Sequence, residues 1–152
     1  MHHKFALSTL VLVGLLVFGG CPRSASPDAE NAAPPPVWVE KDIDHHGSTI
    51  ALGFRGGLTD DGVEPIAAIT RDGQPVAGAM VFVRLVPAGG EAATGASVDE
   101  VATLYEPASE PAPALYTPGR LPVPAGQAKP AAQFRIVLPD AADELTQEIP
   151  LP

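Results

Sequence analysis

The sequence has a single cysteine, few aromatic residues and few basic ones. With only Cys21 available, no disulfide can form within the 152-residue chain. Aromatic residues make up 5 % of the chain, and 9 Lys and Arg stand against 18 Asp and Glu, which gives a formal net charge of −9. Nucleic-acid-binding surfaces are basic, and no segment here clusters Lys or Arg. We therefore expect no nucleic-acid partner.

The sequence also lacks an apolar run long enough to span a membrane. Its longest run, Phe5 to Phe18, has 14 residues, whereas a spanning helix needs about 20. A short basic segment, Met1 to Lys4, precedes the run, and the small residues Gly19 and Gly20 follow it. This order of a charged start, an apolar core and a small-residue cleavage site is that of a secretory signal peptide. Residues 1–20 are predicted to form such a signal, with a helical apolar core.

The end of the signal, Phe18-Gly19-Gly20-Cys21, resembles the lipobox of bacterial lipoproteins. The resemblance implies cleavage before Cys21 and a covalent lipid on its thiol, so that the protein is held at a membrane of the cell envelope. Pro22 stands where inner-membrane lipoproteins carry Asp, so the family's sorting habit implies the outer membrane, facing the periplasm. An ordinary cleaved signal with an incidental cysteine is the alternative, because Phe18 is bulkier than the usual leucine.

Composition divides the mature chain into a linker and a body. Residues 21–36 are rich in Pro and Ala and contain no large apolar residue. Such a segment cannot bury enough surface to offset its conformational entropy, and its prolines keep it extended. We expect it to act as a tether. Residues 37–152 regain apolar residues in short runs and have the length of one domain.

The body is predicted to be all-β. Residues 48–54 alternate, with Ile50, Leu52 and Phe54 on one face. Prolines between residues 107 and 130 exclude a long helix there. Seven short strands at spacings of about 10–20 residues are typical of a single antiparallel immunoglobulin-like β-sandwich. The predicted strands are 48–54, 64–70, 76–86, 101–105, 114–117, 133–138 and 145–151.

One stretch adds a family resemblance for the body. Residues 69–81 contain Asp72-Gly73-Gln74-Pro75-Val76, which resembles the D-G-x-P-V hairpin of bacterial Ig-like and carboxypeptidase-regulatory-like domains. Asp-Gly is suited to a tight turn, and Pro75 can begin the returning strand where no donor is needed. The motif covers about a dozen residues and implies a small β-sandwich used for binding, spacing or display. It implies no activity.

The two histidines of the mature chain, His45 and His46, form the main candidate site. Asp42 and Asp44 precede them, and on an extended segment Glu40, Asp42, Asp44 and His46 would point to one side. Imidazole and carboxylate groups bind Zn²⁺ and Cu²⁺. The alternative is a solvated acidic lead-in to the first strand, since residues two apart lie about 6.5–7 Å from each other and cannot share one ion on a straight strand.

Three aromatic residues are the candidates for a protein-binding surface: Trp38 at the end of the linker, and Tyr105 and Tyr116 on either side of a Pro-rich stretch. The alternative is that they cover the sandwich core. No motif assembles a nucleophile with a base, so we expect no enzyme. We therefore expect an envelope lipoprotein with a non-catalytic binding or accessory module, an unknown envelope partner and no cofactor beyond its lipid. A periplasmic Cu- or Zn-handling domain is the alternative.

Overall fold

The structure, a computed structural model, describes residues 33–87, 99–123 and 130–152. All of them belong to the unit Ala33–Pro152. These residues form strands, turns and loops, with no helix among them. The described part of the chain therefore contains no helix long and apolar enough to cross a membrane. The strands of this part are β1 (Pro36–His45), β2 (Ser48–Arg55), β3 (Pro65–Arg71), β4 (Gln74–Pro75), β5 (Met80–Pro87), β6 (Val101–Ala102), β7 (Leu104–Glu106), β8 (Leu115–Thr117), β9 (Pro130–Val137) and β10 (Glu144–Pro150).

The strands form two antiparallel sheets. The larger sheet has the order β1-β2-β3-β8-β7, with β4 also paired to β3. The smaller sheet has the order β10-β9-β5-β6. The expectation of an all-β, antiparallel body is confirmed. The predicted signal helix, Cys21 and residues 22–32 of the linker lie outside the described residues.

Both sheets contribute to one hydrophobic core. On β2, Ile50, Leu52 and Phe54 are fully buried, which confirms the predicted alternation. Their partners from the smaller sheet also alternate, and they include Val81, Val83 and Leu85 of β5 and Ala132, Phe134 and Ile136 of β9. Alternate residues of a strand share a face, so this pattern means that the two sheets pack face to face in a sandwich-like arrangement.

The predicted turn at Asp72-Gly73 is confirmed. Both residues have positive φ, 51° and 74°, and Arg71 pairs with Gln74 across the turn. Two consecutive residues with positive φ make the two-residue turn that matches the twist of a hairpin. Pro75 ends the short returning strand β4.

Two of the predicted strands differ from the structure. Residues 76–86 form a strand only from Met80, in β5: Val76 still donates its N–H to Ile69 O of β3, at 2.9 Å, and pairing with β9 begins at Met80. Residues 101–105 are divided at Thr103, whose N–H donates to Val81 O at 2.9 Å, so that β6 and β7 lie in different sheets. Apolar alternation marks a buried face but does not tell which sheet a strand joins.

The first strand of the body also differs from the prediction. The ten-residue strand β1 occupies the segment expected to be a lead-in, and it forms one edge of the larger sheet. Its pairing with β2 shifts register between Trp38 and Glu40 and again between Glu40 and Ile43. Asp42, at the second shift, has a φ of 60°. Such bulges bend a strand and interrupt its alternation.

Gly53 of β2 allows β1 to approach closely. A Cβ atom at this position would lie 2.2 Å from Val37 O and 2.9 Å from the Cα atom of Trp38. Both are backbone atoms, so the contact cannot be relieved by rotating a side chain. The glycine is therefore required by the path of β1.

We predict that Gly53→Ala lowers the free energy of unfolding by about 1–3 kcal/mol, because the added methyl group overpacks the β1–β2 pair. Urea unfolding measures this change. Gly57→Ala is the matched control, since a Cβ atom there meets no heavy atom within 4 Å. Equal effects of the two substitutions would contradict the explanation.

Candidate functional site

A two-residue turn presents the adjacent histidines. β1 ends at His45 and β2 begins at Ser48, and these two residues pair across the turn. His46 and Gly47 have φ values of 50° and 70°. Histidine is among the residues enriched at positive φ, and glycine adopts it without steric cost. The turn places the two imidazole rings edge to face, with their centroids 4.5 Å apart.

Asp143 joins the histidines from the smaller sheet. It lies immediately before β10, and its Oδ1 is hydrogen-bonded to His46 Nε2. One ligand atom from each of His45, His46 and Asp143 can be chosen so that all three lie within 4.8 Å of one another. Among the described residues this is the one such group of three or more metal-ligating side chains. We call these three residues the hairpin-tip cluster.

The members of the hairpin-tip cluster differ in exposure. His45 is half-buried, and its Nε2 atom is inaccessible to solvent and has no hydrogen-bond partner among the described residues. The side chains of His46 and Asp143 are 45 % and 67 % exposed. A buried polar atom without a partner costs about 1–3 kcal/mol. Two members of the cluster are therefore accessible to solvent, and the third has a buried nitrogen without a partner.

The charges around the cluster favour an ionised Asp143. The hydrogen bond from His46 lowers the pKa of the Asp143 carboxyl below its ordinary value, and the charges of both histidines act in the same direction. Nearby, Arg71 Nη2 donates to Asp140 Oδ1 at 2.9 Å, and Arg71 Nε donates to Ser48 Oγ at 3.1 Å. Arg71 lowers the pKa of Asp140 mainly through its hydrogen bond. Arg71 is thus paired with Asp140, and His46 is paired with Asp143.

The predicted carboxylates do not share the site with the histidines. Asp42 and Asp44 are exposed and lie outside the hairpin-tip cluster. The expectation that Glu40, Asp42, Asp44 and His46 point to one side is wrong, since the register shift between Glu40 and Ile43 interrupts the alternation. Glu40 is half-buried and accepts a hydrogen bond from Gln147 Nε2 at 2.9 Å.

Sequence reasoning missed Asp143. It lies 97 residues from His46, in the connection between β9 and β10, where an acidic residue is an ordinary solvated loop residue. No local spacing links it to the histidines. Only the packing of the two sheets brings the connection against the hairpin tip.

The three aromatic candidates for a binding surface differ in their exposure to solvent. Tyr116 is only 3 % exposed. Its hydroxyl donates to Val76 O at 2.7 Å and accepts from Ala79 N–H at 3.1 Å, so it fixes the segment that crosses between the sheets. Its ring packs against that of Tyr105 at a centroid distance of 5.1 Å. Trp38 and Tyr105 are both half-buried. Tyr116 therefore offers no contact surface.

The exposed apolar residues lie elsewhere. Val37 and Val39 of β1 are 57 % and 41 % exposed, on the face opposite Trp38. Leu104 of β7, at the other edge of the larger sheet, is 76 % exposed. We call Val37 and Val39 the β1 apolar patch.

A second polar cluster closes the other end of β2. Arg55 Nε donates to Glu64 Oε1 at 2.9 Å, and Arg55 Nη1 donates to Glu106 Oε2 at 2.8 Å. Thr117 Oγ1 also donates to Glu64 Oε1, at 3.2 Å. The hydrogen bonds to Glu106 and Glu64 raise the pKa of Arg55. Each of these groups has a partner within the cluster, so we assign it a structural role joining β2, β7 and β8.

Comparison with known proteins adds no relative: no family model, no curated protein and no solved structure matches the chain. The geometry of the described residues is therefore the basis for any functional proposal.

We predict that the protein loses stability in acid partly through Asp140. Its pKa is lower in the folded protein than in the unfolded chain, so the unfolded chain takes up the proton first as the pH falls. The contribution of Asp140 to the free energy of unfolding is complete above the ordinary Asp pKa of about 3.9. It is lost as the pH decreases through the lower pKa that Asp140 has in the folded protein. Urea midpoints between pH 6 and pH 2.5 measure this loss.

Asp140→Asn separates this contribution from those of the other carboxylates. The pKa values of Asp143 and Glu100 are also lowered in the folded protein. The variant should therefore still lose stability in acid, but by a smaller amount than the wild type. An identical acid profile for the variant would show that the Arg71–Asp140 pair does not contribute.

Proposed function

We propose that the protein is a membrane-anchored envelope lipoprotein whose β-domain acts as a non-catalytic binding or accessory module. The lipobox-like sequence ending at Cys21 supports the anchor and the envelope location, with the outer membrane, facing the periplasm, favoured by Pro22. The proposed fold is an immunoglobulin-like sandwich. Two facing antiparallel sheets and the Asp72-Gly73 hairpin support it.

The observation that carries the binding role is the β1 apolar patch. Val37 and Val39 lie on the first strand after the linker, at an edge of the larger sheet. Proteins protect sheet edges with bulges and charges, and β1 has both at Lys41, Asp42 and Asp44. The segment before them contains the other bulge, between Trp38 and Glu40, but its exposed side chains, Val37 and Val39, are apolar.

A partner of matching chemistry would have an apolar centre and a basic rim. A stable interface buries at least about 1,000 Å², which is more than two valines provide, so polar neighbours must take part. The chain has a formal net charge of −9, and complementary charge accelerates and orients association. We therefore propose an envelope protein with a basic surface around an apolar contact.

Metal handling is the second function expected from the sequence. It requires that His45 and His46 find a further ligand, and Asp143 is the residue that the fold brings to them.

We predict that Cys21→Ser moves the protein from the membrane fraction to the soluble fraction, because the serine hydroxyl is not lipidated. Immunoblotting of fractionated cells and intact-mass analysis of the membrane-bound protein test this. The wild type should carry the mass of a lipid at residue 21 after loss of residues 1–20. A wild-type protein cleaved without added lipid would contradict the anchor and support an ordinary secreted protein.

We predict that a photoreactive residue at position 37 yields a discrete crosslinked adduct in the intact envelope, and that Val39→Lys abolishes it by placing a charge in the contact. The same residue at position 80 is the matched control, since Met80 is 56 % exposed against 57 % for Val37. Mass spectrometry then identifies the adduct. The same adducts from positions 37 and 80, or none from position 37, would contradict a specific surface at β1.

A further inference from the structure

We propose that His45, His46 and Asp143 form a binding site for one divalent transition-metal ion, Zn²⁺ or Cu²⁺, at the end of the domain where the β1–β2 turn meets the β9–β10 connection. This site rests on the second function given above, metal handling, and it does not depend on the proposed protein-binding role. The hairpin-tip cluster supplies two imidazole nitrogens and one carboxylate oxygen within 4.8 Å of one another. Three protein ligands with an open position are typical of Zn²⁺ sites that exchange or activate a fourth ligand.

An unpaired nitrogen of His45 supports the metal site independently of the distances between the ligand atoms. Its Nε2 atom is buried and has no hydrogen-bond partner among the described residues, whereas buried polar atoms in native proteins are nearly always paired. His46 Nε2 and Asp143 Oδ1 are hydrogen-bonded to each other. A metal ion bound by both atoms would take the place of the hydrogen between them.

The three ligand atoms need to move only a short distance towards one another to bind one ion. Ligand atoms around a tetrahedral Zn²⁺ lie about 3.3 Å apart, given Zn–N and Zn–O distances of about 2.0–2.1 Å. The atoms of the cluster are within 4.8 Å, and His46 and Asp143 are exposed, so rotation of their side chains can close the difference. Asp143 brings one negative charge, and Arg71, which contacts Ser48 beside the β1–β2 turn, is already paired with Asp140.

The donor set selects the metal. Two imidazoles and one carboxylate suit Zn²⁺ and Cu²⁺, and Cu²⁺ is expected to bind more tightly. Ca²⁺ and Mg²⁺ prefer sites made entirely of oxygen ligands. Because imidazole must be neutral to bind a metal, protons compete with the ion and affinity falls in acid.

The test is isothermal titration of the full-length protein in detergent with Zn²⁺ and, separately, Cu²⁺, at about pH 7.5. All samples carry His2→Ala and His3→Ala, because those two N-terminal histidines could themselves bind Cu²⁺ in any uncleaved protein, and no histidine tag is used. We expect one ion per chain and a metal-dependent rise in Tm, with no rise on adding Ca²⁺ or Mg²⁺.

Asp143→Asn is the decisive variant, since it keeps the shape of an exposed side chain and removes its charge. It should weaken Zn²⁺ binding roughly tenfold or more, an effect at the scale seen when groups supporting a metal site are removed. The matched control, Asp42→Asn with Asp44→Asn, removes two carboxylates outside the cluster and should leave affinity unchanged. Paramagnetic resonance of the Cu²⁺ form should show two imidazole nitrogens, which His45→Ala reduces to one.

Three outcomes would overturn the proposal: no stoichiometric binding at about 100 µM metal, equal affinity of Asp143→Asn and the wild type, or loss of binding in the Asp42–Asp44 control. Circular dichroism of each variant establishes that it is folded. Val39→Lys, which tests the β1 apolar patch, should not change metal affinity, so the two proposals stand or fall separately.

Discussion

The hydrophobic core shared by the two sheets is the constraint on which the rest of the structure depends, because it sets the register of the strands. Each fully buried Val, Leu, Ile or Phe side chain contributes about 1.5–3 kcal/mol, and β2 alone buries Ile50, Leu52 and Phe54. A slip of one residue would turn all three outward. The register of β2 is therefore strongly specified, and with it the position of the two-residue turn that carries His46. The polar clusters at both ends of β2 follow from this arrangement.

The chain passes between its two sheets three times, from β4 to β5, from β6 to β7 and from β8 to β9, and different groups hold the first two crossings. Between β4 and β5 the hydroxyl of Tyr116 bonds the backbone at Val76 and Ala79. Between β6 and β7 the backbone of Thr103 bonds Val81. A buried hydroxyl in an apolar core is stable only with such partners, so Tyr116 belongs to the architecture and not to a surface for recognition.

Local signals in the sequence predicted much of the fold. The alternation at Ile50, Leu52 and Phe54 and the turn at Asp72-Gly73 depend on neighbouring residues only, so they could be recognised without the structure. The division of residues 101–105 between the sheets could not, because both sheets bury the same kinds of side chain. The candidate site divides in the same way: the paired histidines are visible in the sequence, but Asp143 is distant along the chain and is placed by packing between sheets.

The start of β1, where the linker ends, and the hairpin-tip cluster lie at opposite ends of this strand. The strand begins at Pro36 and ends nine residues later at His45. At about 3.3 Å per residue this span approaches 30 Å, somewhat less with the two bulges. Under the proposed anchoring through Cys21 and the proposed metal site, a molecule that delivers or removes an ion would approach the end of β1 that is remote from Pro36. A partner bound at the β1 apolar patch, close to Pro36, would then leave the metal accessible.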